Sequence, residues 1–210
     1  FKTKRQLFDI GIAGPIAGLV FAIPILIWGI ANSQVQELSR GPVGSSVLEG
    51  NSIFYLGVKY LIHGELLPSF DAYSDMPVAQ EFILLLAGAI PEGGGTDILI
   101  NSVAFAAWFG LFVTAMNLLP VGQLDGGHVA YSLIGDRARW LGIGLVAIMV
   151  LAGIFWWVGW LFWAGLVFFG PNHPPPLNDL VPLDPVRKIV AYLIILFFVI
   201  LFMPYPLQPL

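Results

Sequence analysis

The chain has 210 residues, 58% of them hydrophobic and 10% charged, with a formal net charge of −4; soluble domains carry roughly 25% charged residues, so an ordinary soluble fold is excluded. Its Lys and Arg residues are scattered rather than gathered on one face, which excludes a nucleic-acid partner. There is no cysteine, so disulfides and thiolate metal sites are excluded too, and any metal must be held by His, Asp or Glu.

Mean hydropathy is +0.85, and several apolar runs approach the roughly 20 residues that cross a hydrocarbon core. The expected fold class is therefore an all-α polytopic integral membrane protein in a lipid bilayer. Phe1 is not an initiator Met, and the first apolar run lacks the small-residue cleavage site of a secretory signal. The expectation is that sequence continues upstream.

Residues 1–31 read as a first transmembrane helix. Lys2, Lys4 and Arg5 precede a run over 7–31 that only Asp9 interrupts, and Gly14-Pro15 lies inside it. Gly11, Gly14 and Gly18 recur at i, i+3 and i+7, the spacing that lets a second helix come close in lipid.

Residues 32–97 are richer in Gly, Pro, Ser and acidic side chains and read as an extramembrane or re-entrant loop. Within it, 53–62 and 81–90 are apolar but about half a span long, which suits interfacial or re-entrant helices that cap or gate a site.

Residues 98–136 hold a second span, 98–119, which ends at Pro120 before the turn-rich string Val121-Gly122-Gln123-Leu124-Asp125-Gly126-Gly127-His128. Residues 137–210 supply the C-terminal transmembrane helices. Of these, 140–169 is too long for one upright helix and short of the roughly 40 residues that two would use. Basic residues gather on the cytoplasmic side of spans, and a hairpin over 140–169 would put Arg187 and Lys188 on the same side as Arg137 and Arg139. A Pro-rich loop, 171–185, is expected to be extended and outside the bilayer core, and 186–203 closes the chain as a last span.

An ionisable side chain at the end of a membrane span is costly to desolvate and is a candidate functional group for that reason. Asp125 is the strongest here: a proline precedes it and two glycines follow, so the backbone can leave helical geometry and a ligand can approach unobstructed. An ordinary aqueous Asp-Gly-Gly turn would carry the same three residues.

The longer string from Asn117 through Pro120, Leu124 and Asp125 to Gly126 resembles the N-x-x-P-x-x-x-L-D-G signature of the site-2 protease family of intramembrane zinc metalloproteases. Gly14-Pro15, His173-Pro174-Pro175-Pro176 and Pro182-Leu183-Asp184-Pro185 are similar to segments of bacterial and plastid members. The resemblance implies a site-2 protease helix bundle, present here in part. It further implies that Asp125 is the third protein ligand of a catalytic Zn2+, the other two being the histidines of an HExxH helix whose Glu is the general base. By the same resemblance Asn117 is a catalytic residue that hydrogen-bonds the unwound substrate or its oxyanion, Pro120 opens the helix end to substrate, and Leu124, Gly126 and Gly127 complete the motif.

No HExxH occurs in the chain. His63-Gly64-Glu65 lacks the second histidine and reads as solvated loop, His128 lies three residues beyond Asp125 as a supporting or interfacial residue, and His173 reads as surface. The resemblance implies a protease acting in regulated intramembrane proteolysis on membrane-spanning protein substrates. The site is incomplete in this chain, which alone should bind no catalytic zinc. A bacterial-type cytoplasmic membrane is expected, with a plastid membrane second. Two other classes compete: a catalytically inactive scaffold of the same fold, and a transporter, which half-length helices and a proline-broken helix end would also suit.

Overall fold

The computed structural model describes residues 3–38, 47–168 and 182–209. The chain is mostly helical. Helix α1 (Lys4–Ala31) is followed by strands β1 (Gln34–Glu37) and β2 (Val47–Glu49), helix α2 (Ile53–His63), β3 (Ser69–Phe70), α3 (Val78–Ala87) and β4 (Gly95–Leu99). Then come α4 (Ser102–Asn117), α5 (Asp125–Ile134), α6 (Arg137–Phe155), α7 (Gly159–Phe168), α8 (Pro185–Leu201) and β5 (Leu207–Pro209).

The all-α expectation needs amending, because 32–97 is not a loop in its described parts. β1, β4 and β3 form an antiparallel sheet in that order, with Val35 opposite Ile98 and Ser69 opposite Thr96, and β2 pairs antiparallel with β5. Helices α2 and α3 lie close to the two half-span runs. The second span is shorter than 98–119, because Ile98 and Leu99 belong to β4 and the helix starts at Ser102. His63 is the half-buried last residue of α2 rather than solvated loop, with Gly64 in the left-handed conformation closing the helix. Residues 140–169 break at 156–158 into α6 and α7, packed so closely that a Cβ on Gly153 would lie 2.6 Å from Leu161 Cγ. His173 and most of 171–185 lie outside the described residues.

Among the described residues, α1 and α6 are long and apolar enough to cross a membrane by length and composition, with 28 and 19 residues. α8, with 17 residues, stands at the short end of the spanning range of about 17–25, and α4, with 16, falls just below it.

The chain divides into two compact units. One comprises 1–18 and 114–199, the other 19–113 and 200–210. In the first, Phe8, Leu118, Val129, Leu183, Ala191 and Ile194 are buried together. That core joins α1, the loop after α4, α5 and α8.

In the second unit, Leu56, Phe70, Tyr73 and Leu85 form the core of the strand-bearing part. Asn101 caps α4 by accepting hydrogen bonds from the amides of Val103 and Ala104, while its own amide donates to the Gly29 carbonyl at 2.9 Å. Gly29 admits this contact, since a Cβ there would lie 2.7 Å from the Ala104 Cα.

This unit also buries a charge cluster. The Lys59 ammonium lies 3.2 Å from Asp97 Oδ1 and 3.3 Å from Glu49 Oε1, and the Tyr55 hydroxyl donates to Glu49 Oε1 at 2.7 Å. Lys59 is wholly inaccessible. Burial alone would push its pKa down, yet Asp97 and Glu49 outweigh that and hold it above the usual lysine value. Burial pushes the Asp97 carboxyl up, and its Oδ2 has no hydrogen-bond partner among the described residues.

Removing one member of a buried ion cluster leaves uncompensated charge, so Lys59→Ala should destabilise the protein by about 3–5 kcal/mol, read as a lower denaturation midpoint in detergent. The signs for pH agree. Lys59 contributes fully below its unfolded pKa of about 10.4 and the contribution is lost as pH rises through the higher folded value. Asp97, raised by burial, opposes folding when ionised and relents as pH falls through its folded value. Midpoints should therefore fall with rising pH, and the alkaline part of that fall should vanish in Lys59→Ala.

Candidate metal-ligand site

The site is built where α4 ends. Asn117 is the last residue of α4, and the chain turns through 118–124 before α5 begins at Asp125. The Val121 amide donates to the Leu119 carbonyl at 2.7 Å, the Leu124 amide to the Val121 carbonyl at 3.3 Å, and Gly122 takes a φ of 56°. Such a φ suits glycine, which has no Cβ to clash. Leu124 is the residue before α5, and its carbonyl accepts from the His128 amide at 3.0 Å.

Gly126 and Gly127 let the start of α5 fold back on this loop. A Cβ on Gly126 would overlap the Leu118 carbonyl, and one on Gly127 would overlap the Gly122 carbonyl. Both glycines are buried. The motif is thus a packing solution as well as a string of candidate ligands.

Asp125 occupies the first turn of α5, where the helix dipole favours negative charge. Its carboxylate rests against α1: a Cβ on Gly14 would lie 3.3 Å from Asp125 Oδ2. A Cβ on Gly11 would lie 2.7 Å from His128 Cβ. Rising numbers on α5 meet falling numbers on α1, so the two helices run antiparallel, with the glycines forming a notch for Asp125 and His128. Asp125 is half-buried, and its carboxylate makes no hydrogen bond or ion pair with another of the described residues. Gly14, beside it, is solvent-accessible, so the carboxylate has an open side.

Two clefts flank the motif and share Pro120. One, of about 410 Å³, is lined by Gly127, Tyr131, Arg139, Trp140 and Val167 among others. The other, of about 390 Å³, is walled by Leu118, Gly126, Val129, Tyr192 and Ile194, with Lys188 at its edge.

Among the described residues no three His, Asp or Glu side chains converge in a way that could hold a metal ion. The arrangement fits one carboxylate ligand of such an ion. His128 faces Gly11, one helical turn along from Asp125. His63 belongs to the other unit.

Peptidase family M50 matches residues 1–158. The chain belongs to this family. M50 is the site-2 protease family, so the resemblance carried by Asn117 to Gly126 is shown. Similar proteins include the probable zinc metalloprotease EGY2, chloroplastic, of Arabidopsis thaliana, 31% identical over 206 residues, covering 97% of this chain and 32% of that protein. The EGY2 of Oryza sativa subsp. indica is 33% identical over 172 residues, covering 73% and 30%. The rice EGY1 of subsp. japonica is 29% identical over 202 residues, covering 94% and 30%. The chain therefore spans about a third or less of the length of these relatives. No solved structure matches it.

The cluster of Glu49, Tyr55, Lys59 and Asp97 escaped sequence reasoning, since a lone lysine among apolar residues in α2 reads as a side chain reaching for water. The notch at Gly11 and Gly14 was visible only as a small-residue spacing, without its partner.

Because a Cβ on Gly126 meets backbone rather than a movable side chain, Gly126→Ala should lower stability by about 1–3 kcal/mol. Gly57→Ala, in open space on α2, should do no such damage. Denaturation midpoints of the two variants, measured side by side, check the contrast.

Proposed function

We propose that this chain supplies the aspartate ligand and the substrate-facing helix end of a zinc-dependent intramembrane endopeptidase. The observation that carries the reading is the Asp125 carboxylate, held against the Gly14 notch at the start of α5 with an open side and no protein partner among the described residues. The other two ligands and the general base would come from an HExxH helix outside the 210 residues. The zinc-metalloprotease names of the relatives support this assignment.

Zinc held by Asp125 and the two histidines of that helix would supply an activated water near pH 7 and polarise a peptide carbonyl. The chain's own residues do the rest. Asp125 anchors the site from the end of a short helix whose glycines fix its backbone. Asn117, at the end of α4, hydrogen-bonds the unwound substrate backbone or its developing oxyanion. Pro120, shared by the two clefts, keeps the chain from continuing as helix and so leaves a path to the carboxylate.

Lipid is the solvent that suits the outer surface. Phe21 and Trp28 on α1, Phe155 on α6, Phe162 on α7 and Leu196 on α8 are all exposed. Apolar faces this extensive mark contact with membrane or partner. Substrates are accordingly membrane-spanning proteins, and the membrane is a bacterial-type cytoplasmic one or, as with the chloroplastic relatives, that of a plastid.

The test uses the full-length protein. Purified wild type should hold stoichiometric zinc and cleave a single-span substrate, while Asp125→Ala should lose the metal and roughly a hundredfold or more of the cleavage rate. Full zinc content and undiminished cleavage in Asp125→Ala would reject the ligand. Asn117→Ala should keep the metal and lose about 10²–10³ in kcat; unchanged kcat would remove Asn117 from the mechanism. A zinc-free wild type that binds membrane partners would instead favour the scaffold reading.

A further inference from the structure

The seat of Asp125 depends on which residues of α1 face α5, and that is a matter of register. A slip of one residue along an α-helix moves the backbone by about 1.5 Å and turns it by about 100°. Such a slip would bring Ala13 or Pro15, each with a Cβ, to the place of Gly14.

Close to the start of α1 an ionic cluster grips the helix from another side. Arg187, in the first turn of α8, donates from Nε to Asp9 Oδ1 and from Nη2 to Asp9 Oδ2, both at 2.8 Å. Its Nη1 donates to Asp184 Oδ2 at 2.7 Å. Asp184 in turn precedes α8 and accepts from the Arg187 amide at 3.1 Å, and Arg5 lies 3.8 Å from the same carboxylate. These bonds hold the Asp184 carboxyl below its usual range. A paired fork of this kind fixes rotation as well as distance. Asp9 and Gly14 are five residues apart, about 140° around the helix after one full turn, so Arg187 and α5 hold α1 on different sides.

We propose that Asp9 and Arg187 are positioning residues for the aspartate ligand: their two-bonded pair sets the rotation and register at which Gly11 and Gly14 face His128 and Asp125. The proposal rests on the reading of Asp125 as a zinc ligand. The pair is partly exposed, with the Asp9 and Arg187 side chains 48% and 33% accessible, and solvent-screened pairs add little to global stability. Its effect is therefore geometric. It falls on metal affinity rather than on folding.

The experiment takes full-length protein with Asp9→Asn, Arg187→Met and Arg187→Lys. It measures zinc affinity by chelator competition, amide hydrogen exchange over 11–14 and 125–128, and the denaturation midpoint. The expected result is zinc binding weaker by about 10–100-fold in Asp9→Asn and Arg187→Met, as for groups that orient a metal ligand, at little change in midpoint. Arg187→Lys should recover only part, because one ammonium cannot make two parallel bonds. Affinity in folded Arg187→Met and Asp9→Asn equal to wild type would overturn the proposal. If wild type itself binds no zinc, the ligand reading falls separately. Hydrogen exchange then decides: faster exchange at 11–14 in Asp9→Asn and Arg187→Met, smaller in Arg187→Lys, upholds the clamp, and unaltered exchange rejects it.

Discussion

The close approach of α1 to α5 at Gly11 and Gly14 governs the arrangement of the site, because no side chain larger than hydrogen fits at Gly11 beside His128 Cβ. Two helices that meet through glycine gain packing contacts that lipid alone would not favour. The same approach brings the carboxylate at the start of α5 against a surface where, among the described residues, it makes no hydrogen bond or ion pair. The motif's own glycines impose a second constraint, folding the start of α5 onto the carbonyls of Leu118 and Gly122. Asp125 is fixed between the two, with its backbone set by Gly126 and Gly127 and its carboxylate bounded by Gly14.

The apolar core of this unit serves the same end. Phe8 from α1, Val129 from α5, and Ala191 and Ile194 from α8 are buried together with Leu118 from the loop itself. None of these side chains carries chemistry. They hold three helices around the turn in which the carboxylate sits, and the Arg187 cluster adds direction to a contact that apolar packing leaves free to slide.

What could be read from the sequence follows the strength of the local signal. Asn117, Pro120, Leu124, Asp125 and Gly126 stand at fixed offsets on one helix end, so the motif was legible without coordinates. α1 was legible for the same kind of reason, as a long apolar run with a basic start. The sheet was not: β3 has two residues, β2 three and β1 four, and alternation cannot be recognised over so few positions. Ile98 and Leu99 misled for a further reason. They are apolar and continuous with the α4 run, and only pairing with β1 assigns them to a strand. The Lys59 cluster needed three segments, 47–49, 53–63 and 95–99, brought together by tertiary structure, and no spacing in the sequence announces it.

The partnerless carboxylate also bears on the choice between a protease and an inactive scaffold. A half-buried acidic side chain without a hydrogen bond or ion pair among the described residues gives up solvation that the dipole of α5 offsets only in part, a cost of roughly 1–3 kcal/mol for a polar group and more for a charged one. A scaffold has no use for that expense, since asparagine or serine would begin α5 equally well. Helix packing needs the glycines but not the acid. A cation would complete the acid, and the open side next to Gly14 is where one would approach. That reasoning favours a ligand over a relic, and it concerns the one residue on which both the family motif and the geometry of the two helices converge.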